Sequence, residues 1–217
     1  MQNPPTWLTE ETMAHGLSFL SDIDPDLADI LKHLGPPPLR AREPGFPTLV
    51  YLILEQQVSL SSARATYDRL ADRRSPLTPE GFLELDDATL KNIGFSHQKT
   101  AYCRHLALSI FENRLNLPGL GEMDTPAARS ELMKIKGIGP WTADIYLLSA
   151  LRRPDIWPKG DLALAVSVQK VKNLDSRPTP DELDAISTLW RPWRAVAARI
   201  LWHDYLNNTG RSSRSSV

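Results

Sequence analysis

The chain has 217 residues, enough for one large domain or two small lobes, and 41% of them are hydrophobic, as is typical of globular proteins. The single cysteine, Cys103, excludes a disulfide framework, a four-cysteine zinc ribbon and a four-cysteine iron–sulfur cluster. The net charge of −1 gives no general attraction to nucleic acid. Any binding of DNA would therefore depend on a local basic patch and on backbone hydrogen-bond donors.

The sequence has no recognisable export or membrane segment. Its first residues, MQNPPTWLTEE, lack the basic start and the apolar core of a signal peptide. The longest apolar run, Leu49–Leu54, is much shorter than the segment needed to span a bilayer. We therefore expect a soluble intracellular protein that has no membrane partner.

Apolar residues recur at helical spacing along most of the chain. Leu49–Leu54 is apolar on every side, which predicts a fully buried helix. The next helix is predicted to begin after Ser59, a suitable N-cap residue. Three amphipathic stripes consist of Leu60, Ala63, Tyr67 and Leu70, then Tyr102, Cys103, Leu106, Ala107 and Ile110, and finally Trp193, Val196, Ala197, Ile200 and Leu201.

Thr125-Pro126 and Thr179-Pro180 each predict a helix that begins with a threonine N-cap followed by proline. No segment shows the sustained alternation of a strand bounded by hairpin turns. The proline and glycine clusters are too short to be flexible linkers. These patterns predict an all-α protein in which residues 1–210 form a single domain of two helical lobes. The polar tail Arg211–Val217 is expected to be disordered.

The most distinctive segment is Leu132–Asp144, with the sequence LMKIKGIGPWTAD. A first helix is predicted to end near Lys134. Pro140 then opens a second helix, Trp141–Leu151, because the φ angle of proline is already close to the helical value. The segment therefore predicts two helices joined by a short glycine-containing turn.

The turn itself points to a phosphate contact. Gly137 and Gly139 permit a tight turn with positive φ and a close approach by another molecule. Backbone N–H groups at the start of the second helix, up to Thr142, can then bind an anion, and Lys134 and Lys136 add positive charge. A DNA phosphate suits this site because such contacts are independent of base sequence. A glycine pair at an ordinary helix–helix corner would look the same.

The whole segment resembles the hairpin of the helix-hairpin-helix DNA glycosylase superfamily, in which a Gly/Pro-containing loop and an essential aspartate follow. Here that loop is Pro154–Gly160 and the aspartate is Asp161. Further segments extend the resemblance over roughly residues 30–206, and these segments are Arg40–Pro47, Glu55–Ser59, Gly94–Leu106 and Trp190–Arg194. The chain is most similar to the alkylpurine, or 3-methyladenine type II, branch in its compact form without an N-terminal β domain.

The resemblance implies two helical lobes that flank a DNA-binding cleft. It also implies a monomeric enzyme that flips alkylated bases out of double-stranded DNA and begins base excision repair. The enzyme would work in the cytoplasm, at the nucleoid, of a bacterium or in the nucleus of a eukaryote.

Asp161 is the candidate catalytic residue. Hydrolysis of the glycosidic bond builds positive charge on the sugar, and a carboxylate beside C1′ can stabilise that charge and orient water. The string alone favours an N-cap for the helix that begins near Leu162, whereas the matching hairpin upstream favours catalysis. The two roles are compatible.

Trp141 stands where bifunctional relatives have a nucleophilic lysine, so the resemblance implies a monofunctional enzyme that leaves an abasic site. The resemblance also places Trp141 and Trp202 in the pocket for the flipped base, where an aromatic face adds about 1–3 kcal/mol per stacked base. Ordinary core packing is the alternative for either tryptophan. Ile145 replaces a further aromatic residue of the family, which points to a pocket of different breadth.

Gln57 is the candidate wedge that fills the gap left by the flipped base, and the alternative is a helix-terminal glutamine bonded to nearby carbonyls. Ser59 fits a helix cap better than a DNA contact. His97 is interpreted as a cap or surface residue. Lys99 either contacts a phosphate or is solvated.

No cofactor is required by this chemistry. By resemblance, the hairpin could bind a monovalent cation, Na⁺ or K⁺, through the carbonyls of Met133, Ile135 and Ile138. Two other functions stay open at this point. One is a non-catalytic DNA-binding module that keeps the hairpin. The other is a bifunctional glycosylase/lyase acting on oxidised bases, against which the absence of a hairpin lysine and of cluster cysteines argues.

Overall fold

The structure, a computed structural model, describes the backbone of residues 5–212 and the side chains of residues 5–208. This described part is helical and contains no β-strand, so the predicted all-α class is confirmed. The chain divides into two compact units. One consists of Arg42–Leu151, and the other combines the residues up to Ala41 with those from Arg152 onward. In the described residues, no helix is both long and apolar enough to cross a membrane.

The unit Arg42–Leu151 is built around a buried helix, as the apolar run predicted. Its α-helices are α3 (Phe46–Glu55), α4 (Leu60–Arg73), α5 (Pro79–Leu83), α6 (Asp87–Asn92), α7 (His97–Phe111), α8 (Thr125–Met133) and α9 (Pro140–Ser149), with a 3₁₀ turn at Pro118–Gly121. Helix α3 packs against α4, α7 and α9, and the predicted run Leu49–Leu54 is buried except for Tyr51, which is half-buried. Contact with three helices explains why the apolar residues of α3 are not confined to one face.

The second unit joins the two ends of the chain. Its helices are α1 (Glu10–Ile23), α2 (Pro25–Leu34), α10 (Leu162–Val171), α11 (Pro180–Ser187) and α12 (Arg194–Ser212), with a 3₁₀ turn at Thr188–Trp190. Helix α12 packs against α1, α2 and α10. Of its predicted stripe, Val196, Ala197, Ile200 and Leu201 are buried, whereas Trp193 is half-buried and precedes the helix. Ala195, Ala198 and Arg199 are buried as well, so α12 is covered on more sides than the stripe indicated.

Several predicted helix ends differ from the observed ones. The cap of α8 is Asp124, which accepts the N–H of Ala127, and not the predicted Thr125. An aspartate caps a helix at least as well as a threonine, so the competing residue one position earlier takes the role. By contrast, Ser59 and Thr179 cap α4 and α11 as predicted.

The C-terminal ends of the second hairpin helix and of the last helix also differ from the prediction. The second hairpin helix was expected to reach Leu151 but ends at Ser149. Helix α12 continues to Ser212, so two residues of the predicted disordered tail are helical. The rest of that tail, residues 213–217, lies outside the described residues.

A buried ionic network ties α2 to the C-terminal part of its unit. Asp24, only 4% exposed, caps α2 and accepts hydrogen bonds from Lys172 at 2.7 and 2.8 Å and from the indole N–H of Trp190 at 2.7 Å. Burial alone would raise the pKa of Asp24, but the hydrogen bonds from Lys172 and Trp190 outweigh it and hold the pKa below its ordinary value of 3.8.

We expect Asp24→Asn to lower the free energy of unfolding by about 1–3 kcal/mol at pH 7, because the amide keeps the cap but leaves Lys172 paired with the carboxylate of Asp26 alone. A folded-state pKa below the unfolded value stabilises the protein above pH 3.8, and this stabilisation is lost as the pH falls through the folded pKa. The difference between wild type and variant should therefore shrink in acid. Urea unfolding at pH 7 and pH 3 measures both effects, with the exposed Asp22→Asn as the control. An equal difference at both pH values would contradict the network.

Candidate active site

The predicted site residues fall into two groups, one in each unit. The first group centres on Asp161, the N-cap of α10. One carboxylate oxygen, Oδ1, accepts the backbone N–H of Leu164 at 2.9 Å and the indole N–H of Trp202 at 3.2 Å. Asp161 is 8% exposed, whereas the adjacent Leu162 is 60% exposed. The carboxylate is thus fixed by two donors just below the surface of its unit, and the predicted cap is confirmed.

The loop before Asp161 is held firmly on the start of α12. Asp155 binds Arg194 through both of its carboxylate oxygens, at 2.7 and 2.9 Å, and the N–H of Ala195 donates to the carbonyl of Pro154. Trp157 is buried and packs on Trp190, with 5.3 Å between the two ring centroids. These contacts fix the backbone that delivers Asp161, so the carboxylate does not depend on a mobile loop for its position.

Trp202 lies on α12 and is half-buried. Its hydrogen bond to Asp161 orients the indole, because an indole N–H is a single donor with a fixed direction. One turn earlier on the same helix, Arg199 is 4% exposed and donates to the carbonyls of Leu39 and Ala195. Burial lowers the pKa of Arg199 to about 10, which still leaves the guanidinium charged at neutral pH.

The second group contains the hairpin, whose two helices are α8 and α9. Gly137 has φ +95° and Gly139 has φ −88° and ψ 179°. The sequence predicted positive φ for the turn, and this is right for Gly137 and wrong for Gly139, which is an extended N-cap. Gly139 has no side chain with which to cap α9, and a Cβ there would meet no atom within 4 Å. The start of α9 is therefore open to an anion.

Helix α7 supports the turn from the protein side. A Cβ on Gly137 would lie 2.2 Å from Cγ of Tyr102, so only glycine fits between the turn and this ring. The backbone N–H of Lys136 donates to Nδ1 of His105 at 3.2 Å. Tyr102 and His105 are one turn apart on α7 and so share a face. The turn is therefore a shaped element resting on a helix.

The side chains around the turn divide into exposed and buried ones. Lys136 is exposed, as a phosphate contact requires, and Lys134 is exposed but paired with Glu131. Thr142 is 2% exposed, and its hydroxyl accepts a hydrogen bond from Gln56. The DNA contact predicted for Thr142 would therefore use its backbone N–H, because the hydroxyl is buried. Trp141, in the first turn of α9, is half-buried.

The turn that follows α3 contains two adjacent glutamines in different environments. Gln57 is exposed and has φ +56°, a conformation that costs a residue with a side chain about 1 kcal/mol or more. The glutamine bonded to nearby groups is its neighbour Gln56, which donates to the carbonyl of Gly137 and to Thr142. Strain at an exposed position favours a functional role for Gln57.

Lys99 is half-buried and bonded within the protein, and so is not the freely solvated lysine of one of its two interpretations. Its ammonium donates to the carbonyl of Leu54 at 2.6 Å, in the last turn of α3, where helix carbonyls have no intrahelical partner. Burial lowers the pKa of Lys99. Ser96 caps α7, and His97 is an exposed first residue of that helix, in agreement with its interpretation as a surface residue.

For a cation, the hairpin offers carbonyl oxygens. Within the described residues, no group of three or more His, Cys, Asp or Glu side chains could hold a metal ion. The carbonyl of Ile135 accepts the N–H of Ile138 at 3.0 Å, and a carbonyl oxygen has a second lone pair. The cation site predicted at the carbonyls of Met133, Ile135 and Ile138 would be an oxygen-only donor set, of the kind that suits Na⁺ or K⁺.

Sequence reasoning missed the residues that support the site from behind. These are Gln56, Tyr102, His105, Arg129, Asp155 and Arg194. Arg129 binds Asp144 of α9 through two nitrogens, and Asp144 is 3% exposed. For α7 a signal did exist, because Lys99, Tyr102 and His105 recur at the three-residue spacing of one helix face. The ion pairs left no signal, since their partners lie far apart in sequence.

An all-helical chain with a glycine turn between two helices and a capped aspartate after it has the features of a helix-hairpin-helix repair protein. The family model described as "HhH-GPD superfamily base excision DNA repair protein" matches residues 50–192. The chain belongs to this superfamily, and the resemblance seen in the sequence is confirmed.

Two relatives come from Bacillus subtilis (strain 168). YfjP, whose name assigns it provisionally as a DNA-3-methyladenine glycosylase, is 32% identical over 158 residues, which cover 69% of this chain and 55% of that protein. A protein named DNA-3-methyladenine glycosylase is 33% identical over 123 residues, which cover 57% of this chain and 41% of that protein. The chain thus spans about half the length of these curated relatives.

Among solved structures, the chain is similar to the 3-methyladenine DNA glycosylase Mag1 of Schizosaccharomyces pombe in complex with abasic DNA. The TM-score is 0.78 and the sequence identity is 25%. The match covers 87% of this chain and 95% of Mag1. The likeness therefore extends over almost the whole of a compact relative.

The hairpin glycines are expected to differ in what they do for stability. Gly137→Ala should lower the free energy of unfolding by about 2–4 kcal/mol, because the new Cβ clashes with Tyr102 at a positive φ angle. Gly139→Ala, at an ordinary φ angle and in open space, should change it by less than about 1 kcal/mol. Denaturant unfolding of the two variants compares them directly. Equal losses would contradict the observed geometry of the turn.

Proposed function

We propose that this chain is a DNA N-glycosylase that removes alkylated bases, of the 3-methyladenine and 7-methylguanine type, from double-stranded DNA and so begins base excision repair. The observation that carries the proposal is the Asp161 carboxylate, which is shielded, held by two donors and placed one helix after a phosphate-binding type of hairpin. The names of the relatives support the substrate class.

The first step is a grip on the DNA backbone. The uncapped start of α9, beginning at Gly139, presents N–H groups and the positive end of a helix dipole to a phosphate. The close approach is possible because nothing lies within 4 Å of the Gly139 Cβ position. Gly137 shapes the turn, and the exposed Lys136 adds charge. A chain with a net charge of −1 binds DNA through these local donors and not through an overall attraction.

The second step takes the target base out of the stack, at a cost of a few kcal/mol. Gln57, exposed at the strained turn after α3, would fill the vacated space in the duplex. Stacking of the flipped base on Trp202 and Trp141 would recover about 1–3 kcal/mol per aromatic contact. An alkylated purine carries positive charge and an electron-poor ring, which strengthens stacking on an electron-rich indole.

The third step breaks the C1′–N bond. As the base leaves with the bonding electron pair, the sugar becomes positively charged, and the Asp161 carboxylate stabilises that charge. Water then adds to C1′ and loses its proton to Asp161. The hydrogen bonds from Leu164 and Trp202 to Oδ1 fix the carboxylate without any reorganisation during the reaction.

The products would be the free base and an abasic site in an uncut strand. Trp141 occupies the place after Gly139 and Pro140 where a lyase would need an amine nucleophile, and an indole cannot form a Schiff base. The chemistry needs no cofactor. A Na⁺ or K⁺ ion held by the carbonyls of Met133, Ile135 and Ile138 would supply an added positive charge for the phosphate. We further propose that the enzyme is a monomer acting at the bacterial nucleoid or in a nucleus.

We expect Asp161→Asn to slow release of 3-methyladenine from methylated DNA by roughly 10²–10⁴-fold, while the affinity for the duplex stays within a few fold. Asparagine is also a good N-cap and keeps an acceptor for Leu164 and Trp202, so the variant removes the charge and leaves the cap. Single-turnover base release and equilibrium DNA binding measure the two quantities. The exposed Asp175→Asn is the matched control.

Full activity of Asp161→Asn would contradict the mechanism. Tight binding of abasic DNA by the wild type, with no base released from a panel of modified duplexes, would instead identify a non-catalytic DNA-binding module. Borohydride trapping of a covalent protein–DNA adduct would identify a bifunctional glycosylase/lyase.

Trp202 is expected to contribute in two separable ways. Trp202→Phe removes the hydrogen bond to Asp161 but keeps an aromatic face, and base release should slow by about 3- to 10-fold. Trp202→Leu removes the aromatic face as well, and the loss should reach about 10- to 100-fold. Single-turnover rates at saturating enzyme distinguish the variants. Equal rates for the wild type and the leucine variant would place the base elsewhere.

A further inference from the structure

The side chain of Gln56 joins the turn after α3 to the hairpin. Its amide nitrogen donates to the carbonyl of Gly137 at 2.9 Å and to the hydroxyl of Thr142 at 2.9 Å. A glutamine amide has two N–H donors, so this group can satisfy both acceptors at once. The partners are 81 and 86 residues away in sequence. The contact is therefore purely tertiary.

The two acceptors belong to different parts of the hairpin. Gly137 is in the turn, at φ +95°, and Thr142 is in the first turn of α9. Thr142 is 2% exposed, so loss of the hydrogen bond would leave a buried hydroxyl without this partner. One amide thus fixes the turn relative to the helix start that follows it.

The same residue is adjacent to the candidate wedge. Gln56 is the C-cap of α3 in an extended conformation, and Gln57 follows at φ +56°. A strained residue keeps its conformation when its surroundings hold it there. On one side Lys99 binds the carbonyl of Leu54 in the last turn of α3, and on the other Gln56 is held by the hairpin.

We propose that Gln56 is a positioning residue that holds the wedge residue Gln57 in register with the phosphate-binding hairpin. A protein that grips a phosphate without this register would still bind DNA but would place the wedge poorly and extrude the base more slowly. The inference rests on the proposed glycosylase function, and it concerns base extrusion specifically. A glutamine that served only to stabilise the local fold would affect binding and extrusion together.

The test compares substitutions on both sides of the contact. Gln56→Met keeps the length of the side chain and removes both donors. Thr142→Val removes one acceptor with little change of shape, and Thr142→Ser restores the hydroxyl. Gln169→Met, in α10, is the matched glutamine control. Each protein is assayed for single-turnover release of 3-methyladenine, for affinity towards undamaged duplex, and for 2-aminopurine fluorescence beside an abasic site, which reports unstacking.

We expect Gln56→Met to slow base release and unstacking by about 10-fold, as the loss of two partly buried hydrogen bonds implies, with the dissociation constant for undamaged duplex unchanged within about 3-fold. Thr142→Val should fall between this variant and the wild type, and Thr142→Ser should restore the wild-type rate. The control should match the wild type in every assay.

Three outcomes would overturn the proposal: unchanged release with Gln56→Met, parallel losses of release and duplex affinity, or a serine variant as slow as the valine variant. If Gln56→Met does not fold, the comparison of Thr142→Val with Thr142→Ser tests the proposal, because Gln56 is intact in both variants. If the wild type releases no alkylated base, the proposed function fails. The fluorescence measurement still tests whether Gln56 controls unstacking in that case.

Discussion

The Oδ1 atom of Asp161 is the point on which the candidate chemistry depends. It caps the start of α10 by accepting the N–H of Leu164, and it orients a tryptophan of α12 by accepting the indole N–H of Trp202. A carboxylate with two fixed donors has little rotational freedom, which is the condition for stabilising charge that develops during a reaction. The capping and catalytic interpretations of Asp161 are therefore one arrangement, because the geometry that caps α10 also presents the carboxylate.

The hairpin turn is constrained in a different way, because the face that packs on α7 has no space for a side chain. Gly137 rests on the ring of Tyr102 so closely that no side chain fits, and the N–H of Lys136 is already bound by His105. The face of the turn that packs on α7 is therefore occupied by contacts within the protein. What the turn offers outward is the uncapped start of α9 at Gly139. In a chain with a net charge of −1, the proposed grip on a phosphate depends on such oriented backbone donors.

Membership of the superfamily and the geometry of the site support different statements. The family match establishes the class of fold and indicates base excision repair. The names of the relatives support the proposal that the substrates are alkylated bases. The resemblance to the superfamily sets Trp141 where bifunctional members have a lysine and Ile145 where the family has an aromatic residue, and the first of these supports the proposal of a monofunctional enzyme. The support around the site comes from side chains such as Gln56 and Asp155. These contacts determine how rigidly the reacting groups are held.

The sequence by itself determined the features that depend on nearest neighbours. The buried helix α3, the caps at Ser59 and Thr179, and a hairpin turn containing Gly137 all follow from side-chain periodicity and from hydrogen bonds that span three or four residues. Only the tertiary structure decided which glutamine bonds to the hairpin, and that the Thr142 hydroxyl is buried. Those outcomes depend on partners more than eighty residues away, whose approach is set by the packing of whole helices and leaves no local pattern in the chain.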